Sequence, residues 1–111
     1  MRPGTLATGE LVIATELDAG SVVVSLCGEL DLACTARLEH ELVQVQSAAR
    51  GRLLIDLSQL SFIDSEGLKT LLLARKQAIA SGNELCLRRG PDAVQRVFEL
   101  TRTVHCFSFL D

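Results

Sequence analysis

The sequence predicts an α/β domain in which a mixed β-sheet is packed with helices. Three observations carry this expectation. Two β-rich runs open the chain around a turn-like Asp18-Ala-Gly-Ser21. The run Leu53-Leu-Ile-Asp-Leu57 is nearly continuous in apolar residues, as befits a central strand covered by helices. Between and after these runs, apolar residues recur at the helical rather than the strand period.

Leu11 to Leu17 and Val22 to Cys27 read as antiparallel strands of a hairpin. In the second run Val22, Val24 and Leu26 alternate with Val23, Ser25 and Cys27, so one face is strongly apolar. Gly28-Glu-Leu-Asp31 is expected to end that strand. Leu38, Leu42, Val45 and Ala49 then mark one face of an amphipathic helix, and Gly51 ends it.

After the strand at Leu53 to Leu57, a short polar loop starting at Ser58 is expected to lead into a second helix from Ser65 to about Ser81. Leu68, Leu71, Leu72, Ala78 and Ile79 would share its inner arc, with Leu73 outside it. Glu84 to Arg88 reads as a further strand. Gly90-Pro-Asp92 opens a third helix, with Val94, Val97, Phe98 and Thr101 inward, and Cys106 to Leu110 closes the domain as a strand. The whole is expected to be a single domain over residues 1–111, with a core at about 11–109.

Composition narrows the function. The chain has 111 residues, 48% hydrophobic and 23% charged, with a formal net charge of −3. It has neither Trp nor Tyr, and its basic residues are scattered apart from the pair Arg88 and Arg89. This argues against direct nucleic-acid binding, which calls for a basic face and stacking aromatics. No apolar run approaches a membrane span, and Met1-Arg-Pro-Gly-Thr5 shows no signal core, so a cytoplasmic protein without membrane insertion is expected. Cys27, Cys34, Cys86 and Cys106 form no Cys-x-x-Cys pair and are expected to be reduced, mostly buried thiols.

Enzyme signatures are missing: there is no nucleophile elbow, Walker lysine loop or paired histidine motif. His40 and His105 are isolated and read as surface or packing residues. Asp31, Asp56 and Asp64 could meet at one rim of an α/β sheet, yet each has a simpler role. Asp31 reads as a cap of the first helix, Asp56 as a loop anchor and Asp64 as a cap of the second helix. Neither a metal nor a cofactor is expected.

The segment Asp64-Ser65-Glu66-Gly67 holds a hydroxyl at a helix N-terminus. Free amides and the helix dipole favour an anion there, so Ser65 can carry a phosphate without unfolding the chain. Read as local physics alone, the segment is first of all a helix cap, with Asp and Ser as cap residues and Glu in the first turn.

Gly28-Glu-Leu-Asp31, then Leu53-Leu-Ile-Asp-Leu57, then Leu60-Ser-Phe-Ile-Asp-Ser65 with Gly67-Leu68, in this order and spacing, closely resembles the STAS domain family, and within it the bacterial anti-sigma factor antagonists. The resemblance implies that Ser65 is phosphorylated by an anti-sigma factor that is itself a serine kinase. The unphosphorylated form would capture this kinase and free a sigma factor, and a metal-dependent serine phosphatase would reset the phosphorylated form. Asp31, on a loop beside the serine, would contribute to docking, as would Ser58, Asp64, Gly67 and the first turns of the second helix out to Leu73. The chain would be a substrate and binding protein in transcription regulation and not an enzyme. A second reading within the same family is a STAS adaptor of a transporter or signalling complex that binds independently of phosphorylation.

Three positions depart from the family pattern. Glu66 stands where a small or hydroxylated residue is usual and sets a carboxylate beside Ser65. Lys69 replaces a small residue four positions after Ser65, where a helix brings its ammonium toward a phosphate. Thr101-Arg-Thr-Val104 lacks the glycine common after the last major helix, which is expected to alter a loop and not the fold.

Overall fold

The computed structural model describes residues 10–110. Its elements are β1 (Leu11–Asp18), β2 (Ser21–Leu30), α1 (Thr35–Ala48), β3 (Arg52–Ile63), α2 (Ser65–Ala80), β4 (Glu84–Arg88), α3 (Asp92–Leu100), a single 3₁₀ turn (Val104–Cys106) and β5 (Ser108–Leu110). They build one small domain around a five-stranded mixed sheet of order β1-β2-β3-β4-β5. Only β1 and β2 are antiparallel; β2, β3, β4 and β5 run parallel.

The strand order fixes where the helices lie. Each of α1, α2 and α3 connects a strand to its parallel neighbour, always one step in the same direction. Crossovers of this kind are right-handed, so the three helices stack on one face of the sheet. The core confirms this: Val24, Leu26, Leu53, Ile55, Leu57 and Leu87 alternate along the strands and pack with Leu38, Leu42, Leu71, Val94 and Phe98 of the helices. Phe98 is fully buried and meets Phe107 and Phe109 edge to face, at centroid distances of 5.5 and 5.3 Å. The opposite face of the sheet carries Ser25, Asp56 and Arg88 in register, with Asp56 Oδ2 3.6 Å from Arg88 Nε.

The hairpin turns on Ala19 (φ 52°) and Gly20 (φ 89°), the positive-φ pair that matches strand twist in a two-residue turn. Glycine suits this backbone, whereas alanine is strained there.

Several expectations are corrected. β2 does not end at Gly28 but runs to Leu30, and the segment after Leu57 is not a loop: β3 continues to Ile63. The polar residues are absorbed because β3 carries an extra residue in two places, Asp56 to Gln59 against Ser25 to Cys27, and Leu60 to Phe62 against Gly28 to Glu29. Asp56 therefore lies within a strand, where its Oδ1 accepts a hydrogen bond from the Ser58 amide at 2.9 Å. The last strand begins at Ser108, since Val104–Cys106 coils into the 3₁₀ turn. Thr101 caps α3 and is exposed instead of facing inward, its Oγ1 donating to Val97 O at 2.7 Å.

In α2 the buried arc is centred on Gly67, Leu71, Ala74 and Ala78. Ile79, expected inside, is 59% exposed. Leu68, Leu71 and Ala78 face inward as expected, joined by Thr70. Among the cysteines, Cys34 and Cys86 are buried but Cys27 is exposed. Burial pushes both buried thiols up from their ordinary pKa, and neighbouring carboxylates, Asp31 for Cys34 and Glu84 for Cys86, push in the same direction.

Candidate functional site: the amino end of α2

β2 and β3 finish side by side, with Leu30 paired to Ile63, so Asp31 and Asp64 leave the sheet as neighbours. The Asp64 amide donates to Leu30 O at 3.2 Å. Its carboxylate joins two segments: Oδ1 accepts from the Gly67 amide at 2.8 Å, and Oδ2 accepts from the Leu32 amide at 3.2 Å. The first bond is the expected helix cap. The second ties the β2–α1 loop to the start of α2.

Asp31 is not the cap of α1. That position belongs to Cys34, whose side chain makes no capping bond, while Asp31 Oδ1 accepts from the Ala33 amide at 3.0 Å. The carboxylate shapes the turn before α1, while the tie from that turn to α2 is made by Asp64. Asp31 thus stands on the β2–α1 loop, one residue past the Leu30–Ile63 pair that ends the two strands.

Ser65 is the first residue of α2 and is exposed. The cap takes the Gly67 amide and Asp64 O takes that of Leu68, which leaves the Ser65 and Glu66 amides heading the helix without intrahelical acceptors. Gly67 is buried, and a Cβ there would stand 2.7 Å from Leu30 O and 2.8 Å from Leu30 Cγ. Glycine is required because the helix rests directly on the end of β2, and that contact sets the height at which Ser65 is presented.

Lys69 is engaged with Glu66, Nζ to Oε2 at 3.2 Å, an exposed i,i+3 pair. The two unusual residues of the first turns therefore answer one another. Leu73 is exposed. Ser58 is not drawn into this cluster: it is fixed by Asp56, and β3 runs five more residues before Asp64.

Sequence reasoning missed two exposed apolar residues here, Leu32 (67%) and Phe62 (47%). Leu32 reaches the site through its amide bond to Asp64, and Phe62 lies two residues before that aspartate. Only the long-range bond across 32 residues reveals Leu32 as a neighbour. Among the described residues no group of acidic, histidine or cysteine side chains is placed to hold a metal ion. No helix among them is long and apolar enough to cross a membrane.

Comparison with known proteins agrees with this geometry. The chain is 32% identical over 88 residues to the candidate anti-sigma factor antagonist BtrV of Bordetella bronchiseptica, covering 79% of this chain and 76% of that protein. It superposes on an anti-sigma factor antagonist from Mycobacterium paratuberculosis with a TM-score of 0.79 and 29% identity, over 93% of this chain and 87% of the other. Phosphorylated SpoIIAA, a Bacillus cell fate determinant, shares the fold at a TM-score of 0.69 and 20% identity, over 90% of this chain and 92% of its own. The family model described as Mlab, STAS domain matches residues 13–106, and the chain belongs to the STAS domain family, on the branch of anti-sigma factor antagonists.

Proposed function

We propose that this chain is a phosphorylation-switched anti-sigma factor antagonist. Its unphosphorylated form binds an anti-sigma factor serine kinase in the cytoplasm and so releases a sigma factor. Phosphorylation at Ser65 ends that binding, and a metal-dependent serine phosphatase restores it. The chain supplies the accepting hydroxyl, and the kinase supplies nucleotide and phosphoryl-transfer machinery. No catalysis by this chain and no contact with nucleic acid are involved.

One observation carries the reading: an exposed serine opens α2, while the adjacent aspartate is occupied with Gly67 and Leu32. The hydroxyl is accessible to an incoming active site, and modifying it breaks none of the cap bonds. A phosphate adds about −1.5 to −2 charges at an end that already carries Asp31, Asp64 and Glu66. Repulsion and desolvation of roughly 2 to 3 kcal/mol weaken binding about thirty- to 150-fold. Asp31, Glu66, Lys69, Leu73 and the exposed Leu32 and Phe62 form the docking surface around the serine, set at its height by the buried Gly67. The switch is local, so backbone amide spectra of the two forms match away from this end.

The test is capture from native lysate with wild type, Ser65→Ala and Ser65→Asp, identifying bound chains and Ser65 phosphorylation by mass spectrometry. An anti-sigma kinase retained by the alanine form and lost by the aspartate form is expected. Equal retention of a non-kinase assembly by all three would replace the switch with a phosphorylation-independent adaptor.

A further inference from the structure

Of the charges around Ser65, one pair is free to rearrange. Lys69 Nζ lies 3.2 Å from Glu66 Oε2, with the lysine side chain 72% and the glutamate side chain 39% exposed. An ion pair this open to water is weakly held and yields to a stronger anion. The neighbouring carboxylates are committed elsewhere: Asp64 accepts from the Gly67 and Leu32 amides, and Asp31 from the Ala33 amide. Along α2, Lys69 is the first basic residue after Ser65. The next, Arg75 and Lys76, stand about 15 Å further along the helix axis than Ser65.

Helical spacing offers that lysine two anions. Residues four apart on a helix are neighbours, with Cβ atoms about 5–6 Å apart, and an acid four positions before a lysine is the favoured orientation. Ser65 stands in that relation to Lys69, and Glu66 stands three positions before it. A phosphate on Ser65 carries about −1.5 to −2 charges and three acceptor oxygens, so it attracts the ammonium more strongly than the single charge of a carboxylate. The Ser65 and Glu66 amides, which head the helix without intrahelical acceptors, favour a doubly charged anion at the same place.

We propose that Lys69 is exchanged between these anions: it holds Glu66 in the unmodified chain and passes to the phosphate once Ser65 is phosphorylated, leaving Glu66 unpaired beside it. The added charge is thereby spread over the first turn of α2. The phosphate is partly covered by an ammonium, and a carboxylate that was paired becomes bare. A partner that docks on the closed Glu66–Lys69 pair meets two anions in its place after modification. The exchange rests on the phosphorylation switch proposed above and adds to it the two residues by which this chain departs from its family in the first turns of α2.

Phosphoserine installed at position 65 while the full chain is synthesised tests the exchange without a kinase, so the outcome is separate from whether a kinase selects Ser65. Phosphorus NMR titration reads the second ionisation of the phosphate. The other charges at this end, Glu29, Asp31, Arg37 and Asp64, are the same in every variant and act on all titrations alike. An ammonium beside the phosphate favours the dianion, so its proton is expected to bind about two- to threefold more tightly in Lys69→Ala than in wild type, with Lys69→Arg close to wild type. The NMR signal of the Lys69 ammonium is expected to respond to Glu66→Gln in the unmodified chain and to ignore it in the phosphorylated one. Equal proton binding in wild type and Lys69→Ala, or a Lys69 signal as sensitive to Glu66→Gln after phosphorylation as before, would overturn the proposal.

Discussion

Replacing Asp64 by alanine removes two bonds that lie in different parts of the chain. The first is the cap to the Gly67 amide at 2.8 Å, whose loss costs about 0.5–2 kcal/mol. The second is the bond to the Leu32 amide at 3.2 Å, worth about 0.5–1.5 kcal/mol at an exposed amide. Asp64→Ala is therefore expected to lose about 2 kcal/mol of stability, which lowers the melting temperature by roughly 10 °C in a domain of this size. Asp64→Ser keeps an oxygen for Gly67 but is too short to reach Leu32 as well, and should lose about half as much. Urea unfolding with unchanged m-values is the assay, since the compactness of the end states is not altered. Hydrogen exchange assigns the two parts: the Gly67 and Leu32 amides both speed up in the alanine variant, and only Leu32 does in the serine variant. A serine variant as damaged as the alanine one, or an alanine variant within about 0.5 kcal/mol of wild type, would show that Asp64 does not couple the two segments.

Other outcomes follow from single residues. Gly67→Ala must push α2 away from Leu30, since the new Cβ meets Leu30 O at 2.7 Å; a loss of about 1–3 kcal/mol in urea unfolding is expected, with amide shifts concentrated at Leu30 and Ser65. Ala19 and Arg102 hold positive φ angles of 52° and 59°, so Ala19→Gly and Arg102→Gly should each raise stability by about 0.5–1 kcal/mol, read as a higher urea midpoint. Lys69→Ala frees Glu66 and removes a cation one helical turn from Ser65. It is expected to widen the affinity gap for the kinase between the unmodified and phosphorylated forms, and calorimetry giving an unchanged ratio would remove Lys69 from the switch.

Arg102 also explains how the chain tolerates a departure from its family. The glycine-free segment after α3 turns through Arg102 in the left-handed region, while Thr101 and Thr103 bond to each other at 3.0 Å and to the carbonyls of Val97 and Phe98. The fold survives because neighbouring hydroxyls hold the turn that a glycine would otherwise permit.

The sequence by itself determined the order of strands and helices, the central place of Leu53 to Leu57, the Asp64 cap and the position of Ser65 at the start of α2. These are local matters: side-chain period, cap chemistry and turn residues act within a few positions of the chain. Tertiary structure alone decided the rest. The polar stretch from Ser58 to Ser61 became strand because β2 offered a ladder and bulges took up the extra residues. Asp31 gave up the cap of α1 to shape a turn, and Leu32 entered the site through a bond from far along the chain. In α2 Leu68, Leu71 and Ala78 faced inward as the helical period required, but Ile79 turned outward because the neighbouring layers cover only part of the arc that the period marks. Periodicity records which residues avoid water, but only packing records how closely two backbones approach.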